Sequence, residues 1–235
     1  MTGTISDWVI ALEQQGLDSL ARDFHSQKLE DYQRLKALGV PVFDDLIVPF
    51  SEFNLGNTSL EAFLNKYTQF VIRAIPRTKD LPRRYKIGVS SFEACALFLA
   101  ETISPGDEEL YDVFLTEHEA TNKGGAIISR KEDVLIEIVE GSLDRFSHGE
   151  VNPLAGGHFA FHRHHHFKSM QWTTEDKELR RFMWRALGYL RRDEGSESEL
   201  FPKIEFLKGY FEFVITERTN SIKFLDYKIN GAYLH

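Results

Sequence analysis

The sequence contains little cysteine and no long apolar run. Its 235 residues include one cysteine, Cys95, so the chain cannot form an internal disulfide. Cys95 lies in the apolar run 94–100, where we expect a buried and unreactive thiol. This run and the run 46–50 are far too short to cross a bilayer, and the N-terminus lacks the basic and then apolar pattern of a signal peptide. We therefore expect a soluble, cytoplasmic protein with no membrane partner.

Positive charge is also scarce. The chain has 28 lysines and arginines against 36 aspartates and glutamates, which gives a formal net charge of -8. This balance argues against a broad attraction to nucleic acid or to anionic membranes. A local basic cluster at Arg77, Lys79, Arg83 and Arg84 could still hold a small anionic ligand. The length is sufficient for one large domain or for two subdomains.

The spacing of apolar residues predicts a mixed α+β fold. Helices are indicated where apolar residues recur every three or four positions, and strands where short apolar runs are bounded by turn residues. The predicted helices are 5–24, 28–38, 59–67, 90–102 and 174–192, and the predicted strands are 46–48, 69–73, 111–116, 125–129, 134–139, 210–216 and 222–226. We expect segment 74–88 to be a charged loop, because it contains prolines and little apolar sequence.

Five segments combine particular residue types at fixed separations. Lys28 is followed eleven residues later by Gly39, which opens Gly-Val-Pro-Val. A charged segment, 73–82, runs from an arginine to a proline and precedes Gly88. The remaining three segments are the stretch 117–129, then Gly141-Ser142-Leu143-Asp144 with Gly149 and Val151-Asn152-Pro153, and finally Phe211-Glu212-Phe213 with Asp226-Tyr227-Lys228 fourteen residues after the glutamate.

Together and in this order, the segments resemble the nucleotide-binding domain of the phosphoenolpyruvate synthase and pyruvate phosphate dikinase family. The family has serine, serine and alanine where this chain has Ala74-Ile75-Pro76, glutamate where it has Lys79, and glutamine where it has Asp226. The resemblance implies an ATP-grasp fold, an α+β architecture of two mixed subdomains with the nucleotide in the cleft between them. We place these subdomains at 1–104 and 105–235. Nothing in the chain resembles the phosphohistidine or pyruvate-binding domains of the family. We therefore expect phosphoryl transfer from ATP to an unidentified acceptor, or another ATP-grasp chemistry, such as that of a ligase, in which ATP activates a carboxylate or another nucleophile.

The resemblance also implies roles for individual residues. Lys28 and Arg73 are expected to bind phosphate and to be catalytic. Further contacts with the nucleotide are expected from Asp80, Glu117, Gly141, Gly149 and Lys228. Glu212 and Asp226 are expected to bind Mg²⁺, which together with ATP forms the implied cofactor set. A protein that binds nucleotide without catalysis, as a regulatory subunit, remains an alternative.

The chemistry of Glu212 and Asp226 supports the metal assignment. They lie in two predicted strands of a closing hairpin, and their positions have the same parity. Because side chains alternate along a strand with a period of two, adjacent antiparallel strands can bring the two carboxylates together on one face. Mg²⁺ prefers hard oxygen ligands and is commonly bound by one or two carboxylates together with substrate phosphates.

A group of histidines offers a different function. His158, His162, His164, His165 and His166 lie within nine residues. Alternate members would share one face of a strand, which is an arrangement suited to zinc or nickel. The segment also alternates phenylalanine with histidine, as expected of an amphipathic strand, and it has no helical His-Glu-x-x-His pattern. A structural role and a metal-binding role are therefore both open.

Overall fold

The structure is a computed structural model that describes residues 28–78, 81–141, 152–161, 167–192 and 205–229. The chain forms two compact units: unit 1 combines Met1–Val42 with Thr121–His235, and unit 2 is Phe43–Ala120. The first predicted helix, 5–24, lies outside the described residues. Within the described ranges, no helix is both long enough and apolar enough to span a membrane.

Helices and antiparallel strands make up both units. The helices are α1 (Lys28–Ala37), α2 (Thr58–Lys66), α3 (Phe92–Thr102) and α4 (Lys177–Leu190), with 3-10 turns at Phe50–Glu52 and Glu108–Leu110. The strands are β1 (Asp45–Pro49), β2 (Phe70–Pro76), β3 (Arg84–Val89), β4 (Tyr111–Glu117), β5 (Thr121–Ser129), β6 (Asp133–Glu140), β7 (Ala155–Phe161), β8 (Phe167–Trp172), β9 (Arg191–Arg192), β10 (Glu205–Phe206), β11 (Gly209–Thr216) and β12 (Ile222–Lys228). The α+β expectation is confirmed.

Side chains at the helix ends explain where three of the helices begin. The side-chain oxygens of Asn57, Ser91 and Asp176 accept hydrogen bonds from backbone N–H groups in the first turns of α2, α3 and α4. Such caps satisfy donors that have no partner within the helix. Helix α1 ends before Gly39, whose φ of 72° is the left-handed conformation that glycine adopts most readily.

Unit 2 is a four-stranded antiparallel sheet with helices on one face. Its strands are hydrogen-bonded in the order β1-β4-β2-β3. Phe70, Ile72 and Ala74 of β2 share a hydrophobic core with residues of α2 and α3, among them Leu60 and Phe98. Because side chains alternate along a strand, Val71, Arg73 and Ile75 lie on the opposite face.

Unit 1 is built on a six-stranded antiparallel sheet with the order β12-β11-β5-β6-β7-β8. One face packs against α4, which contributes Phe182, Met183 and Leu187 to the core. Phe211 and Phe213 of β11 lie on that face and are fully buried. Helix α1 packs against β12. Tyr210 and Glu212 therefore lie on the face of β11 that is turned away from this core.

Two sequence expectations differ from the structure. The segment 74–88 was predicted as a loop, but β2 extends to Pro76 and β3 occupies Arg84–Val89. Strand β3 is the edge strand of the described sheet and is almost fully exposed. Its residues Tyr85, Ile87 and Val89 do alternate with polar ones, but the prolines and charges just before it favoured the loop prediction. The expected division at 104/105 falls within unit 2, because β4 is hydrogen-bonded between β1 and β2.

Candidate functional site

Glu212 and Asp226 occupy directly opposite positions in β11 and β12. The two strands are antiparallel, and Tyr210 is paired with Lys228 two positions along the same face. Directly opposite residues on one face have their Cβ atoms roughly 5 Å apart. The expectation that the hairpin brings the two carboxylates together is confirmed.

The pairing depends on a β-bulge, not on unbroken alternation. From the turn upwards, Ile215 pairs with Ile222 and Phe213 pairs with Phe224. In a regular ladder Glu212 would then face Leu225, but the register shifts here and Glu212 faces Asp226 instead. Leu225 is therefore the extra residue of the bulge, and it turns Asp226 onto the face of Glu212. Bulges commonly re-aim side chains in this way.

Each carboxylate is held by a neighbour on its own strand. The hydroxyl of Tyr210 donates a hydrogen bond to Glu212 Oε1 at 2.8 Å. Asp226 Oδ1 accepts the backbone N–H of Tyr227 at 2.9 Å, and Lys228 Nζ lies 3.6 Å from Asp226 Oδ2. Asp226 is 5% exposed, so this ammonium and this N–H compensate for part of the cost of burying its charge.

Asp31 of α1 is a third carboxylate near Asp226. It is 7% exposed, and Arg34 Nη1 lies 3.7 Å from its Oδ1 atom. Burial, and after it the negative charge of Asp226, raise the pKa of Asp31 above its usual value. Sequence reasoning missed Asp31, because its buried position beside Asp226 depends on a strand that is distant in the sequence.

Another buried carboxylate, Glu137, lies on the same sheet face as Glu212. Ala126 of β5 pairs with Glu212 on one side and with Glu137 of β6 on the other. These three residues therefore form one row across the sheet, and Glu137 is 5% exposed. The sequence also contained a signal for Glu137, since it is the one charged residue within the apolar run 134–139.

Arg73 lies on the face of the unit 2 sheet opposite to α2 and α3, which Val71 and Ile75 share. Its Nη1 atom donates a hydrogen bond to Thr116 Oγ1 of β4 at 2.8 Å. The guanidinium carbon lies 5.4 Å from the ring centre of Phe114, which pairs with Arg73 across the strands. A cation at this distance from an aromatic face is attracted to it. Arg73 is therefore a partly buried, oriented cation rather than a freely solvated one.

The other residues expected to contact the nucleotide lie at the ends of helices and strands or outside the described residues. Glu117 ends β4, where its backbone N–H donates to Asp44 O at 2.8 Å. Gly141 follows β6 with a φ of 85°, a turn conformation that favours glycine. Lys28 is the first residue of α1. Asp80 and Gly149 lie outside the described residues.

The histidine segment is described only in part. His158 is on β7, and its Nε2 atom lies 3.1 Å from Asp133 Oδ2, which also receives Arg130 Nη2 at 2.6 Å. The remaining histidines of the group, 162 and 164–166, lie outside the described residues. Across the described ranges, no group of three or more histidine, cysteine, aspartate or glutamate residues is arranged to hold a metal ion.

The carboxylate pair fits magnesium better than it fits a transition metal. Two oxygen donors from the protein match the usual Mg²⁺ site, in which substrate phosphates and water complete the coordination. Zinc sites instead use three or four protein ligands, usually histidine or cysteine. The residues Glu212 and Asp226 are thus suited to a hard divalent cation that arrives with a phosphate ligand.

Comparison with known proteins gives similarity only to solved structures. No protein-family profile and no curated protein sequence matches the chain. The D-alanine-D-alanine ligase from Coxiella burnetii is 10% identical, with a TM-score of 0.42, over 86% of this chain and 47% of that chain. The macrocyclase MdnB from Microcystis aeruginosa MRC is 12% identical, with a TM-score of 0.41, over 89% of this chain and 53% of that chain.

A third similar structure is the Chryseobacterium gregarium RiPP-associated ATP-grasp ligase in complex with ADP and with a leader and core peptide. It is 11% identical, with a TM-score of 0.40, over 86% of this chain and 51% of that chain. The chain therefore spans about half the length of these ligases. TM-scores below 0.5 describe a partial overlap of the backbones, so the activities of these ligases are not transferred to the chain.

Proposed function

We propose that the chain is an ATP-grasp protein that binds ATP with magnesium and transfers the terminal phosphoryl group to an acceptor. The observation that carries the proposal is the direct pairing of Glu212 with Asp226 on adjacent strands. Two like-charged carboxylates at this separation repel each other unless a cation or a proton compensates. A divalent cation that arrives with the nucleotide supplies that compensation.

Phosphoryl transfer requires mainly positioning and positive charge from the protein. Arg73 is assigned to the phosphate oxygens, because its guanidinium is already oriented by Thr116 and Phe114. Lys228 is assigned to the same task, since its ammonium lies beside the carboxylate pair. Lys28 keeps the phosphate-binding role that the sequence resemblance implies. Magnesium, when bound, would neutralise charge on the phosphates.

The acceptor is the least constrained part of the proposal. Resemblance to the phosphoenolpyruvate synthase and pyruvate phosphate dikinase family rests on the sequence segments alone. Transfer of the phosphoryl group to a carboxylate, as the first step of a ligation, uses the same phosphate and cation contacts as transfer to another nucleophile. The proposal therefore covers ligase chemistry as well as kinase chemistry.

One observation favours a second candidate, nucleotide binding without transfer. Where the family has serine, serine and alanine in its phosphate loop, this chain has Ala74, Ile75 and Pro76. These three residues belong to β2 and pair with β4, and Ala74 is fully buried. No hydroxyl from this segment is available to the phosphates.

Thermal unfolding with and without ligands tests the binding part of the proposal. A ligand that binds only the folded state stabilises it, by about 2.7 kcal/mol at a concentration one hundred times the dissociation constant. We expect ATP with Mg²⁺ to raise the melting temperature clearly more than ATP or Mg²⁺ alone. Absence of any shift at saturating ATP with Mg²⁺ would refute both candidates. If ATP with Mg²⁺ does stabilise the protein, an assay for released ADP or labelled phosphate distinguishes phosphoryl transfer from binding alone.

A further inference from the structure

Tyr210 has a geometric relationship to the carboxylate pair that no sequence motif indicated. It lies two residues before Glu212 on the same face of β11, and its hydroxyl donates to Glu212 Oε1 at 2.8 Å. Tyr210 is 9% exposed, so its ring is fixed by its surroundings. Lys228 stands opposite Tyr210 just as Asp226 stands opposite Glu212. The four side chains form two adjacent cross-strand pairs.

The hydrogen bond opposes the natural tendency of the two carboxylates to separate. A glutamate side chain has three rotatable bonds, and fixing it costs conformational entropy. Repulsion from Asp226 adds to that cost. Asp226 has a shorter side chain and is held by the backbone N–H of Tyr227. Glu212 accepts a hydrogen bond from the Tyr210 hydroxyl.

The chemical nature of this donor matters for cation binding. A lysine or arginine in place of Tyr210 would also hold Glu212, but its positive charge would compete with a bound cation. The tyrosine hydroxyl is neutral and leaves the negative charge of Glu212 intact. Lys228 differs in this respect, since its ammonium reduces the charge of Asp226.

We infer that Tyr210 is a positioning residue that presents the Glu212 carboxylate to a divalent cation. The inference rests on the proposed binding of ATP with Mg²⁺, and it adds a residue to that site. Tyr210 does not itself contact the nucleotide in this assignment. It acts through Glu212, by restricting the conformations of a carboxylate whose strand position is opposite Asp226.

The test is the ratio of the ATP dissociation constants measured without and with Mg²⁺, by calorimetry on the full chain. Tyr210→Phe keeps the ring and removes the hydroxyl, and we expect it to reduce that ratio about tenfold, the scale of one hydrogen bond to a charged group. ATP affinity without Mg²⁺ is expected to stay within about twofold of wild type. A merely structural role would change both affinities together.

Tyr227→Phe is the matched control. The Tyr227 hydroxyl donates to the backbone oxygen of Lys208 at 3.3 Å, and its ring stacks on Phe211 in the core. Tyr227→Phe also removes a tyrosine hydroxyl, from the residue next to Asp226. We nevertheless expect its Mg²⁺ effect to equal that of wild type. A double-mutant cycle adds specificity: in a Glu212→Gln background, Tyr210→Phe is expected to cause no further loss.

The outcomes separate this inference from the proposed function. If wild type shows no Mg²⁺ effect on ATP binding, the proposed function fails and the inference fails with it. A different outcome refutes only the inference: wild type shows the Mg²⁺ effect and Glu212→Gln abolishes it, but Tyr210→Phe preserves it in full. Should Tyr210→Phe fail to fold, 3-fluorotyrosine at position 210 changes the acidity of the hydroxyl with little change in size, and an unaltered Mg²⁺ effect would overturn the inference.

Discussion

Arg73 Nη1 donates a 2.8 Å hydrogen bond to Thr116 Oγ1 across the β2 and β4 strands. Thr116 is 6% exposed, so the loss of the guanidinium would leave a buried hydroxyl with fewer partners. We expect Arg73→Ala to lower the free energy of unfolding by about 1–2 kcal/mol for this reason. Chemical denaturation of the variant and of wild type measures the difference.

The same substitution also tests the phosphate role of Arg73. Losing a charge-assisted hydrogen bond to phosphate costs about 1.5–3 kcal/mol, which corresponds to roughly 10- to 100-fold weaker ATP binding. Arg181→Ala is the control, because Arg181 is an exposed cation of α4 that pairs with Glu178. A folded Arg73→Ala variant with the ATP affinity of the control would make Arg73 a purely structural residue.

Neutralising both members of the carboxylate pair tests the cation site. For Glu212→Gln combined with Asp226→Asn, we expect the free energy of unfolding to stay within about 1 kcal/mol of wild type, because relief of repulsion offsets the lost Asp226–Lys228 ion pair. The increase of ATP affinity caused by Mg²⁺ should disappear. Calorimetric titration of ATP with and without Mg²⁺ decides, and an undiminished Mg²⁺ effect would place the cation elsewhere.

Deletions in β12 test the bulge. Removing Leu225 takes out the extra residue and leaves Asp226 opposite Glu212, so we expect the variant to fold. Removing Lys223 instead slips the strand by one residue and turns Ile222, which is 1% exposed, away from the core. The second deletion should cost about 2–5 kcal/mol, the scale of a lost buried isoleucine. Equal stability of the two deletions would contradict the observed register.

Cys95 gives a prediction about pH. Burial raises the pKa of the Cys95 thiol to about 12, against an ordinary value of 9.0. The folded state then holds the proton more tightly than the unfolded state, so stability is unaffected below about pH 9 and falls as the pH rises from about 9 towards 12. The loss from this group at about pH 10 is roughly 1.4 kcal/mol.

Two measurements check the Cys95 prediction. Denaturation across the alkaline range should show a flatter pH dependence for Cys95→Ala than for wild type, even though the variant is less stable at neutral pH. Iodoacetamide should label Cys95 only as fast as the protein unfolds. Rapid labelling of the folded protein at about pH 8 would show instead that the thiol is accessible.

Periodicity predicted most elements because most of them bury one face. Strand β4 was predicted at 111–116 and occupies Tyr111–Glu117, and its short run of mostly buried positions explains the agreement. Strand β3 was missed although Tyr85, Ile87 and Val89 alternate with polar residues, because the prolines and charges before it favoured a loop. Tyr85 and Ile87 are exposed, so burial of one face is not what stabilises this strand; its hydrogen bonds to β2 do so.

The adjacency of Glu212 and Asp226 on neighbouring strands was predicted correctly, but from an incomplete argument. Equal parity of positions 212 and 226 does not by itself align them, because Leu225 breaks the alternation. Spacing alone gives no indication of a bulge, which depends on the packing of Phe224 and Tyr227 on the core side. Asp31 was missed for a related reason: its importance arises from β12, which is distant in the sequence.

The packing of α1 against β12, and the hydrogen bonds made by the residues that follow α1, set an order of events during folding. Phe224 donates its backbone N–H to Pro41 O at 2.7 Å, and Arg192 Nη2 donates to Leu38 O at 2.7 Å. Unit 2 is continuous in sequence and is synthesised before β5 to β12. Helix α1 must therefore wait for the whole of unit 2 and for the last strand before its apolar side is covered. Contacts of such large sequence separation slow folding, so we expect α1 to be among the last elements to dock.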